Sequence, residues 1–593
     1  MIKKIHQWLI TYPEKISKNQ MSFWLSLSLT FAASYAFLAL QEAFSSAYVA
    51  QDDARQHVFW MRRFLDPDLF PHDLIADYFQ SVAPLGYSFF YRAATLFHID
   101  PMLFNKLLPL FLGLITSAYC FGVTLQILPV PLAGFFVTVL FNQNIWLKDD
   151  LVTATPRAFF YPLFMAFLYY LLRRSFWPTL AMIALQGLFY PHCMLISAGI
   201  LLIRLLDWEN GQWRLSADRR DYQFCAAGLG LTFLILLPFA LATSEYDPVI
   251  TVQQARQMLE FAAKGRTSFF EADPARFWLY HERSGMIPDI WRPSLLLVGL
   301  ILPLLLRLRR VLPLGEQVRK TVYLLPQIIL VSLGLFFLAH AVLFKLHLPS
   351  RYTHNTFRIV LAIAAGIVLT LLIDALLRWS LRWGRSSLSP QQGLALGLSL
   401  YLIITLVLAP TTFKKFPKTG YKVGELPTLY QFFAQQPKDS LIASLEEEAS
   451  NLPSFAQRSV LVAPEYAIPY NLGYYRRFRE RVVDLIKAQF SPNLTEVKQF
   501  IEKYGIDFWL INPSSLKADF VANNKWLNQY QPITGETLEM LNQGQIPALT
   551  TMDERCRVFE VNDLVVLKAA CILDQEKRLS SRTPIKVNCE VRV

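Results

Sequence analysis

Charged residues are scarce in this chain. They account for 17% of its 593 residues, whereas 53% are apolar and the mean hydropathy is +0.31. Soluble domains carry about 25% charged residues, because their surfaces face water. The deficit excludes an ordinary soluble protein and predicts a polytopic membrane protein.

Cysteine is scarce too, and its spacing excludes the usual metal-binding motifs. The chain has six cysteines, with no CxxC pair and no zinc-ligand spacing among them. Three lie in or beside apolar segments, where they are expected to pack as small apolar side chains. Cys556 and Cys571 belong to the C-terminal part, and the sequence leaves open whether they form a disulfide.

Long apolar segments recur through the first 410 residues. A helix needs about 20 such residues to cross the hydrocarbon core of a bilayer. We predict eleven spans, at 22–41, 104–127, 130–147, 158–173, 177–190, 192–206, 224–243, 293–306, 322–343, 359–377 and 394–410. Pro191 leaves open whether 177–206 forms two helices or one kinked helix. No cleavage site follows the first span, so it is expected to remain as an anchor.

Lysine and arginine predict the orientation. They concentrate in alternate short loops, which places these loops and the N-terminus in the cytoplasm, with a bacterial inner or plasma membrane as the expected location. From residue 411 onward, 23 Lys and Arg stand against 21 Asp and Glu, so most of the net charge of +12 belongs to the membrane part. Orientation in the bilayer explains this excess without a nucleic-acid partner.

The predicted membrane domain, 1–410, has two long loops that are expected on the extracytoplasmic side. These are the loops 42–103 and 244–291. In the first, the segments 53–65 and 86–97 carry apolar residues at helical spacing, a pattern typical of amphipathic helices that lie at a membrane surface.

The chain after residue 410 changes in composition. Residues 411–424 are polar with Pro and Gly, which predicts a linker. Residues 425–570 alternate short apolar strands with helical stretches and predict a small extracytoplasmic α/β domain, followed by a polar tail at 571–593. The expected strands are "SLIAS", "SVLVA", "IDFWLI", "RVFEV" and "LVVLK". The stretch "SPNLTEVKQFIEKYG" predicts a helix capped by Ser491 or Asn493 and ended by Gly505.

Two pairs of adjacent aspartates lie on the same predicted side of the membrane. Asp52 and Asp53 open "DDARQHVFWMRRF" in the first long loop, and Asp149 and Asp150 follow the third span in "WLKDDLVTATPR". One interpretation is that Asp52 caps the next helix while Asp53 pairs with a nearby arginine. A second pair on the same side favours a chemical role.

Basic residues gather on that side as well. The loop before the tenth span, "KLHLPSRYTHNTFR", contains Lys345, Arg351, His354 and Arg358. Arginines at headgroup level bind phosphates through paired hydrogen bonds, although they can also reach anionic headgroups in general. His192, near the same end of a span, is a further candidate, or simply a packing residue.

Acidic side chains that face basic ones at one interface suit sugar transfer from a polyprenyl phosphate. A carboxylate would deprotonate the acceptor hydroxyl, or activate an acceptor amide, while the sugar carbon gains oxocarbenium character. Cations from Arg, Lys or a metal would stabilise the departing phosphate.

The order of these features resembles the GT-C superfamily of polyprenyl-phosphate-sugar-dependent membrane glycosyltransferases. "DDARQHVFWMRRF" is similar to the "DEAR"-type opening of the first external loop in bacterial aminoarabinose and protein mannosyl transferases, and "PSRYTHNTFR" resembles their late basic element. The resemblance implies a polytopic all-α membrane domain of about eleven helices, with interfacial helices in the first loop and a small C-terminal α/β domain. A "WWDYG"-type motif of oligosaccharyltransferases is missing, so transfer to protein asparagine is not expected.

The resemblance also implies roles for single residues. Asp52 or Asp53 would be the catalytic base or a metal ligand, assisted by Asp149 and Asp150, and Arg351 would contact the donor phosphate. The same basic loop adds Arg358, His354 and Lys345. Further candidates are Arg55, His57 and His192. A divalent cation on Asp52, Asp53 and Asp150 is left open, and the transfer is expected to invert the sugar carbon.

Two other functions fit the same sequence. A transporter or flippase of lipid-linked glycan precursors should carry ionisable residues deep inside its spans and repeated halves, and the chain shows few of the former and no clear repeat. A catalytically silent member of the fold could scaffold an envelope-assembly complex, because fold does not settle function. The sequence identifies neither the sugar nor the acceptor.

Overall fold

The computed structural model describes residues 2–10, 17–209, 212–241, 244–289, 292–308, 312–382 and 389–580. The first part of the chain contains the following elements: α1 (Ile2–Leu9), α2 (Lys18–Ala43), β1 (Val49–Gln51), α3 (Ala54–His57), α4 (Leu74–Ser81), α5 (Leu85–Thr95), α6 (Pro101–Ile127), α7 (Pro131–Ile145), α8 (Phe160–Leu172), α9 (Phe176–Phe189) and α10 (Pro191–Ile203). The rest of the helical part consists of β2 (Leu206–Glu209), β3 (Gln212–Leu215), α11 (Arg219–Leu241), α12 (Val252–Gln257), α13 (Leu302–Arg307), α14 (Leu324–Ala341), α15 (Ser350–Leu381) and α16 (Pro390–Leu408).

Six helical stretches are long and apolar enough to cross a membrane. They are Lys18–Ala43, Pro101–Ile127, Arg219–Pro238, Lys320–Ala341, Ser350–Leu381 and Pro390–Thr412. The five other predicted spans coincide with shorter helices: α7 to α10, and α13 with the 3-10 helix Ser294–Ile301 before it. Pro191 separates α9 from α10, so two helices form there. The polytopic helical membrane domain is confirmed, and the protein is an integral membrane protein.

Helices α7 and α15 form the centre of the membrane part. Every residue of α7 is buried, and α15 packs against α7, α14, α16 and the 3-10 helix Ser294–Ile301. A Cβ at Gly366 would lie 2.7 Å from the Val137 backbone nitrogen, so glycine permits this close approach. Asn142 donates to Ser117 Oγ (2.9 Å), and Gln143 donates to the Leu406 carbonyl (2.7 Å). Such hydrogen bonds hold helices together where apolar contacts alone give little preference.

The first loop differs from its prediction. The segment 53–65 is helical only as α3 and the 3-10 helix Phe59–Phe64. Val58, Phe59 and Met61 are fully buried, and the rings of Phe59 and Tyr466 lie 5.7 Å apart. This segment is therefore packed against the C-terminal domain instead of lying on a surface, because its apolar side chains have protein partners. The second segment forms α5, and Leu85 and Phe89 of α5 are exposed.

The C-terminal part is an α/β domain, as predicted. Its elements are β4 (Tyr421–Val423), α17 (Pro427–Ala434), β5 (Leu441–Ala443), α18 (Leu452–Phe455), β6 (Ser459–Val460), α19 (Leu472–Phe490), α20 (Leu494–Tyr504), β7 (Phe508–Ile511), α21 (Ala518–Asn523), α22 (Ile533–Asn542), α23 (Ala548–Cys556), β8 (Arg557–Val561), β9 (Leu564–Lys568) and α24 (Ala569–Ser580). The sheet has the order β6-β5-β7-β9-β8, with β5 parallel to β6 and β7, and β9 antiparallel to β7 and β8.

Local signals in this domain gave the right elements. All five predicted strands form. Asn493 Oδ1 accepts the Thr495 amide (2.9 Å) at the start of α20, and Gly505 ends the helix with φ +67°. Cys556 and Cys571 form a disulfide. Strand β4 lies within the predicted linker, and α24 begins just before the predicted tail and extends into it. Residues 581–593 of the predicted tail lie outside the described part. The exact domain bounds stay a prediction.

Candidate functional site

Asp52 and Asp53 lie between a short strand and a short helix. Strand β1 pairs antiparallel with β4, and the Asp52 amide extends this pairing by donating to the Gly420 carbonyl (3.1 Å). Helix α3 begins at Ala54, and neither carboxylate accepts a capping hydrogen bond from its backbone. The two acidic side chains are directed to other partners.

Asp52 is directed to the C-terminal domain. It makes an ion pair with Arg55, and Lys422 Nζ lies 3.8 Å from its Oδ1. Arg55 is 6% exposed; its Nη2 lies 3.1 Å from Glu465 Oε2, and its Nη1 donates to Asn451 Oδ1 (2.9 Å). Arg55 therefore connects Asp52 to two residues of the C-terminal domain.

Asp53 is directed to the second loop, residues 146–159. Its Oδ2 lies 2.9 Å from Arg157 Nη2, and the same nitrogen lies 3.1 Å from Asp149 Oδ2. Arg157 Nη1 lies 3.3 Å from Asp150 Oδ1. One guanidinium thus joins the first-loop acid to both second-loop acids, and we call Asp53, Asp149, Asp150 and Arg157 the acidic cluster.

Gly420 lies in a narrow space next to the acidic cluster. Its φ is +66°, and a Cβ there would lie 3.2 Å from Gln51 Nε2 and 3.5 Å from Asp149 Oδ2. The Lys418 amide donates to the Trp146 carbonyl (2.8 Å). A left-handed backbone in so little space favours glycine, and the segment before β4 ties the first loop to the second.

Basic side chains flank the acidic cluster on the side of α15. Lys148 Nζ lies 3.6 Å from Asp150 Oδ2. The Tyr161 hydroxyl lies 3.3 Å from the same carboxylate oxygen and 3.1 Å from Asn355 Oδ1. Arg358, which is 3% exposed, donates to Asn144 Oδ1 (3.2 Å). The first turns of α15 thereby contact the end of α7 and the start of α8.

Arg351, on the first turn of α15, is half-buried. Its charge acts on Asp150, Lys148 and His354. Over the described residues, its guanidinium makes no hydrogen bond or ion pair with another side chain. A buried cation usually has a partner, so the place next to Arg351 is suited to an anion.

Of the other predicted basic residues, His354 and His192 lie near Arg351, and Lys345 does not. His354 is 7% exposed, with its Nε2 left without a hydrogen bond. His192 packs 5.1 Å from the His347 ring, within reach of Arg351. Lys345 is exposed and makes no contact with these residues in the described part of the chain, so the structure places it outside the group. We call Lys148, Arg351, His354 and Arg358 the basic cluster.

His57 lies on the side of the first loop. It packs 5.6 Å from the Phe79 ring, beside Asp53 and Arg157. Burial lowers its pKa more than Asp53 raises it. A neutral imidazole is expected there near pH 7.

The acidic and basic clusters shift each other's pKa values. Burial by itself raises the pKa of Asp150, but Lys148 and three arginines outweigh it and hold the pKa below its ordinary value. The arginines are Arg157, Arg351 and Arg358. Burial lowers the pKa of Lys148, and the neighbouring arginines add to this shift, although Asp150 opposes it. Asp150 therefore stays ionised, and Lys148 releases its proton more easily than a surface lysine.

A fourth acid reaches the basic cluster from the loop 244–289. Burial raises the pKa of Glu282, but Lys148, Arg351 and Arg283 outweigh that effect and lower it. The Ser350 amide at the start of α15 donates to the Arg283 carbonyl (3.3 Å). This loop thus adds both an acid and a base beside Arg351.

The side chains as placed do not fit a bound metal ion. Over the described residues, no three His, Cys, Asp or Glu side chains could hold one. Asp53, Asp149 and Asp150 surround the Arg157 guanidinium, while Asp52 is paired with Arg55. The predicted ligand set of Asp52, Asp53 and Asp150 is therefore divided between two arginines.

Several residues at this site were not among the sequence candidates. Lys148 and Arg157 stand within the quoted stretch "WLKDDLVTATPR", beside the acids with which they pair, so a search for opposite charges near each acid would have found them. Glu282 and Glu465 lie far from both motifs in the chain, and no local pattern marks them.

Two solved structures share the arrangement of the chain. The Archaeoglobus fulgidus oligosaccharyltransferase tethered to an acceptor peptide containing the NVT sequon matches with a TM-score of 0.54 and 12% identity, over 88% of this chain and 72% of that chain. Its apo form matches with a TM-score of 0.52 and 12% identity, over 87% and 72%. The chain has the GT-C fold. The resemblance seen in the sequence is thereby confirmed at the level of fold.

Other comparisons add little to the GT-C fold. ArnT from Cupriavidus metallidurans bound to undecaprenyl phosphate matches with a TM-score of 0.35 and 11% identity, over 92% of this chain and 98% of that chain, which is too low to carry an argument. No family model matches the sequence. No curated protein matches it either.

Proposed function

We propose that this chain is an integral membrane glycosyltransferase, which moves a sugar from a polyprenyl-phosphate donor to an envelope lipid, glycan or protein acceptor. One observation carries the proposal: in a GT-C fold, the acidic cluster lies directly against the basic cluster, at Asp150 and Lys148. Sugar transfer needs a base for the acceptor and cations for the leaving phosphate, and adjacent clusters supply both.

The site is assigned to the extracytoplasmic side of a bacterial inner or plasma membrane. The positive-inside rule places the N-terminus in the cytoplasm and the C-terminal domain outside. The disulfide between Cys556 and Cys571 supports this assignment, because disulfides persist in oxidising compartments.

Asp53 is the base in this proposal. Its carboxylate belongs to the acidic cluster next to the basic cluster, whereas Asp52 is directed through Arg55 to the C-terminal domain. The acceptor hydroxyl gives its proton to Asp53 as its oxygen bonds to the sugar carbon. The bond from that carbon to the phosphate oxygen breaks, and the electron pair leaves with the polyprenyl phosphate. One displacement of this kind inverts the sugar carbon.

Arg351 binds the donor phosphate. Its guanidinium has no protein partner over the described residues and can offer two parallel N–H groups to phosphate oxygens. Lys148, His354 and Arg358 surround this place and stabilise the charge that grows on the leaving phosphate. Lys345 has no role in the proposal, because it is exposed and apart from the basic cluster.

A flippase is less well supported by the charges in the membrane helices. Asp374 near the end of α15 is paired with His6 (2.7 Å) and Arg378 (2.9 Å). The ionic groups of the two clusters lie at one end of the helices, where chemistry at an interface would need them.

The first experiment identifies the substrate. Lipid-linked glycans are profiled in cells with and without the gene, and an accumulated polyprenyl-linked sugar names the donor. That donor is then used with purified protein in nanodiscs, where Asp53→Asn should lower turnover on the order of 100-fold or more. Asp52→Asn should lower it less, and a melting profile should show that both variants fold.

Two results would contradict the proposal. An unchanged glycan profile together with no transfer from any extracted lipid-linked sugar would argue for a scaffold. Full turnover by the Asp53→Asn protein would remove Asp53 as the base, and a complete loss in Asp52→Asn alone would move that role to Asp52.

A further inference from the structure

Arg157 occupies the centre of the acidic cluster. Asp53 Oδ2 and Asp149 Oδ2 both lie within 3.1 Å of its Nη2, and Asp150 Oδ1 lies 3.3 Å from its Nη1. Three carboxylates from two loops thus converge on one cation. Carboxylate oxygens are also the ligands that a divalent cation prefers, but the three as placed around Arg157 do not form a metal site over the described residues.

The position of Arg157 is fixed by its neighbours in the chain. It is the second residue of the 3-10 helix Pro156–Phe159, in which Ala158 and Phe159 are buried. Its side chain is 16% exposed. The guanidinium therefore cannot move into solvent without breaking three ion pairs, and a buried carboxylate left without its partner is costly.

The region already holds more cations than anions. The acids are Asp53, Asp149, Asp150 and Glu282, and the bases are Lys148, Arg157, Arg283, Arg351 and Arg358. Four formal negative charges meet five positive ones. A divalent cation would add two positive charges to a largely buried group, next to cations that repel it.

We propose that the Arg157 guanidinium is the built-in cation of this site and takes the position that a divalent metal ion would otherwise hold between the first and second loops. The role of Arg157 in catalysis rests on the proposed function, because Arg157 then positions the Asp53 carboxylate. Whether Arg157 or a metal ion occupies the site does not depend on the proposed function, and this can be measured without any substrate.

The test is a comparison of metal binding in the full-length protein in nanodiscs. Binding of millimolar Mn²⁺ is followed by electron paramagnetic resonance, with the lipid-only nanodisc subtracted. The wild-type chain should bind none at this site. Arg157→Ala removes the guanidinium from among the three carboxylates, so this variant should bind about one Mn²⁺ per chain. The double variant Arg157→Ala with Asp149→Asn should lose this ion again.

A matched variant controls for the loss of an arginine. Arg63 is also in the first loop and pairs with Asp77 at 2.7 Å, and in the described part of the chain it meets no second carboxylate. Arg63→Ala should therefore gain no Mn²⁺. If Arg157→Ala does not fold, Arg157→Gln takes its place, since it retains a polar side chain of smaller volume.

Two outcomes would overturn the proposal. One is a wild-type chain that binds about one Mn²⁺ and loses it on Asp149→Asn. The other is a folded Arg157 variant that binds none, because the three carboxylates then do not define a cation position. A chain that transfers no sugar would refute the proposed function and leave this result standing.

Discussion

Arg55 of the first loop and Glu465 of the C-terminal domain form an ion pair at 3.1 Å, and Arg55 also pairs with Asp52. Glu465 has further partners: Arg266 Nη2 lies 3.1 Å from its Oε2, and the Gln56 side chain donates to it. Three regions of the chain meet at this one carboxylate. These contacts join the C-terminal domain to Asp52, the residue next to Asp53.

Glu465→Gln is expected to weaken this junction. The neutral amide cannot pair with Arg55 and Arg266, and loss of hydrogen bonds between buried charged groups costs about 1–3 kcal/mol. The midpoint of thermal unfolding in detergent should fall by several degrees. Glu480→Gln is the control in the same domain, because its carboxylate is exposed and pairs with an exposed lysine. Equal midpoints for the two variants would show that the junction contributes nothing.

Arg351→Gln is expected to weaken donor binding. Loss of paired hydrogen bonds to a phosphate should raise the KM for the polyprenyl-linked donor about 10- to 100-fold. Lys345→Gln removes a positive charge from the same loop, but this residue is exposed and outside the basic cluster, so its KM should stay within about twofold. A larger effect from Lys345 than from Arg351 would reverse the assignment. Steady-state kinetics in nanodiscs measures both.

Asp150 gives an expectation for stability against pH. Its pKa in the folded protein is lowered, so its contribution to stability is complete above the unfolded value of about 4 and is lost as the pH falls through the lower folded value. The difference in unfolding midpoint between the wild type and Asp150→Asn should thus be constant from neutral pH to about 5 and shrink below about 4. A difference that shrinks from pH 7 downward would mean that the pKa is raised instead.

Lys148 gives an expectation for activity at alkaline pH. Burial and the neighbouring arginines lower its pKa, so its charge is lost at a lower pH than that of a surface lysine. Donor use should fall as the pH rises through this range. Arginine keeps its charge at alkaline pH. In Lys148→Arg, the alkaline limb of the profile of kcat/KM against pH should therefore move to higher pH. An unmoved limb would show that another group controls it.

The sequence was a good guide wherever neighbouring residues decide the structure. The strands around Trp509 and Val566 follow from short apolar runs, and the end of α20 at Gly505 follows from the freedom of glycine to adopt positive φ. The same kind of reasoning singled out both acidic pairs and Arg351 as candidates, whose roles stay predictions. These features depend on patterns that span a few residues.

Contacts between distant parts of the chain were beyond such reasoning. The segment 53–65 has the period of an amphipathic helix, yet the C-terminal domain buries it, because Phe59 has Tyr466 as a partner. Lys345 lies close to Arg351 in the sequence, but it is exposed while Arg351 is half-buried. The meeting of Asp53 with Arg157 joins loops that lie about a hundred residues apart. A single sequence contains no local signal for such pairings.

The pairing of β1 with β4 also has a consequence for biosynthesis. Val49–Gln51 hydrogen-bonds to Tyr421–Val423, and Asp52 to Gly420. A ribosome makes the first strand some 370 residues before its partner. Strand β1 must therefore wait, unpaired, until α3 to α16 have been synthesised, and the newborn chain holds an incomplete site until β4 emerges.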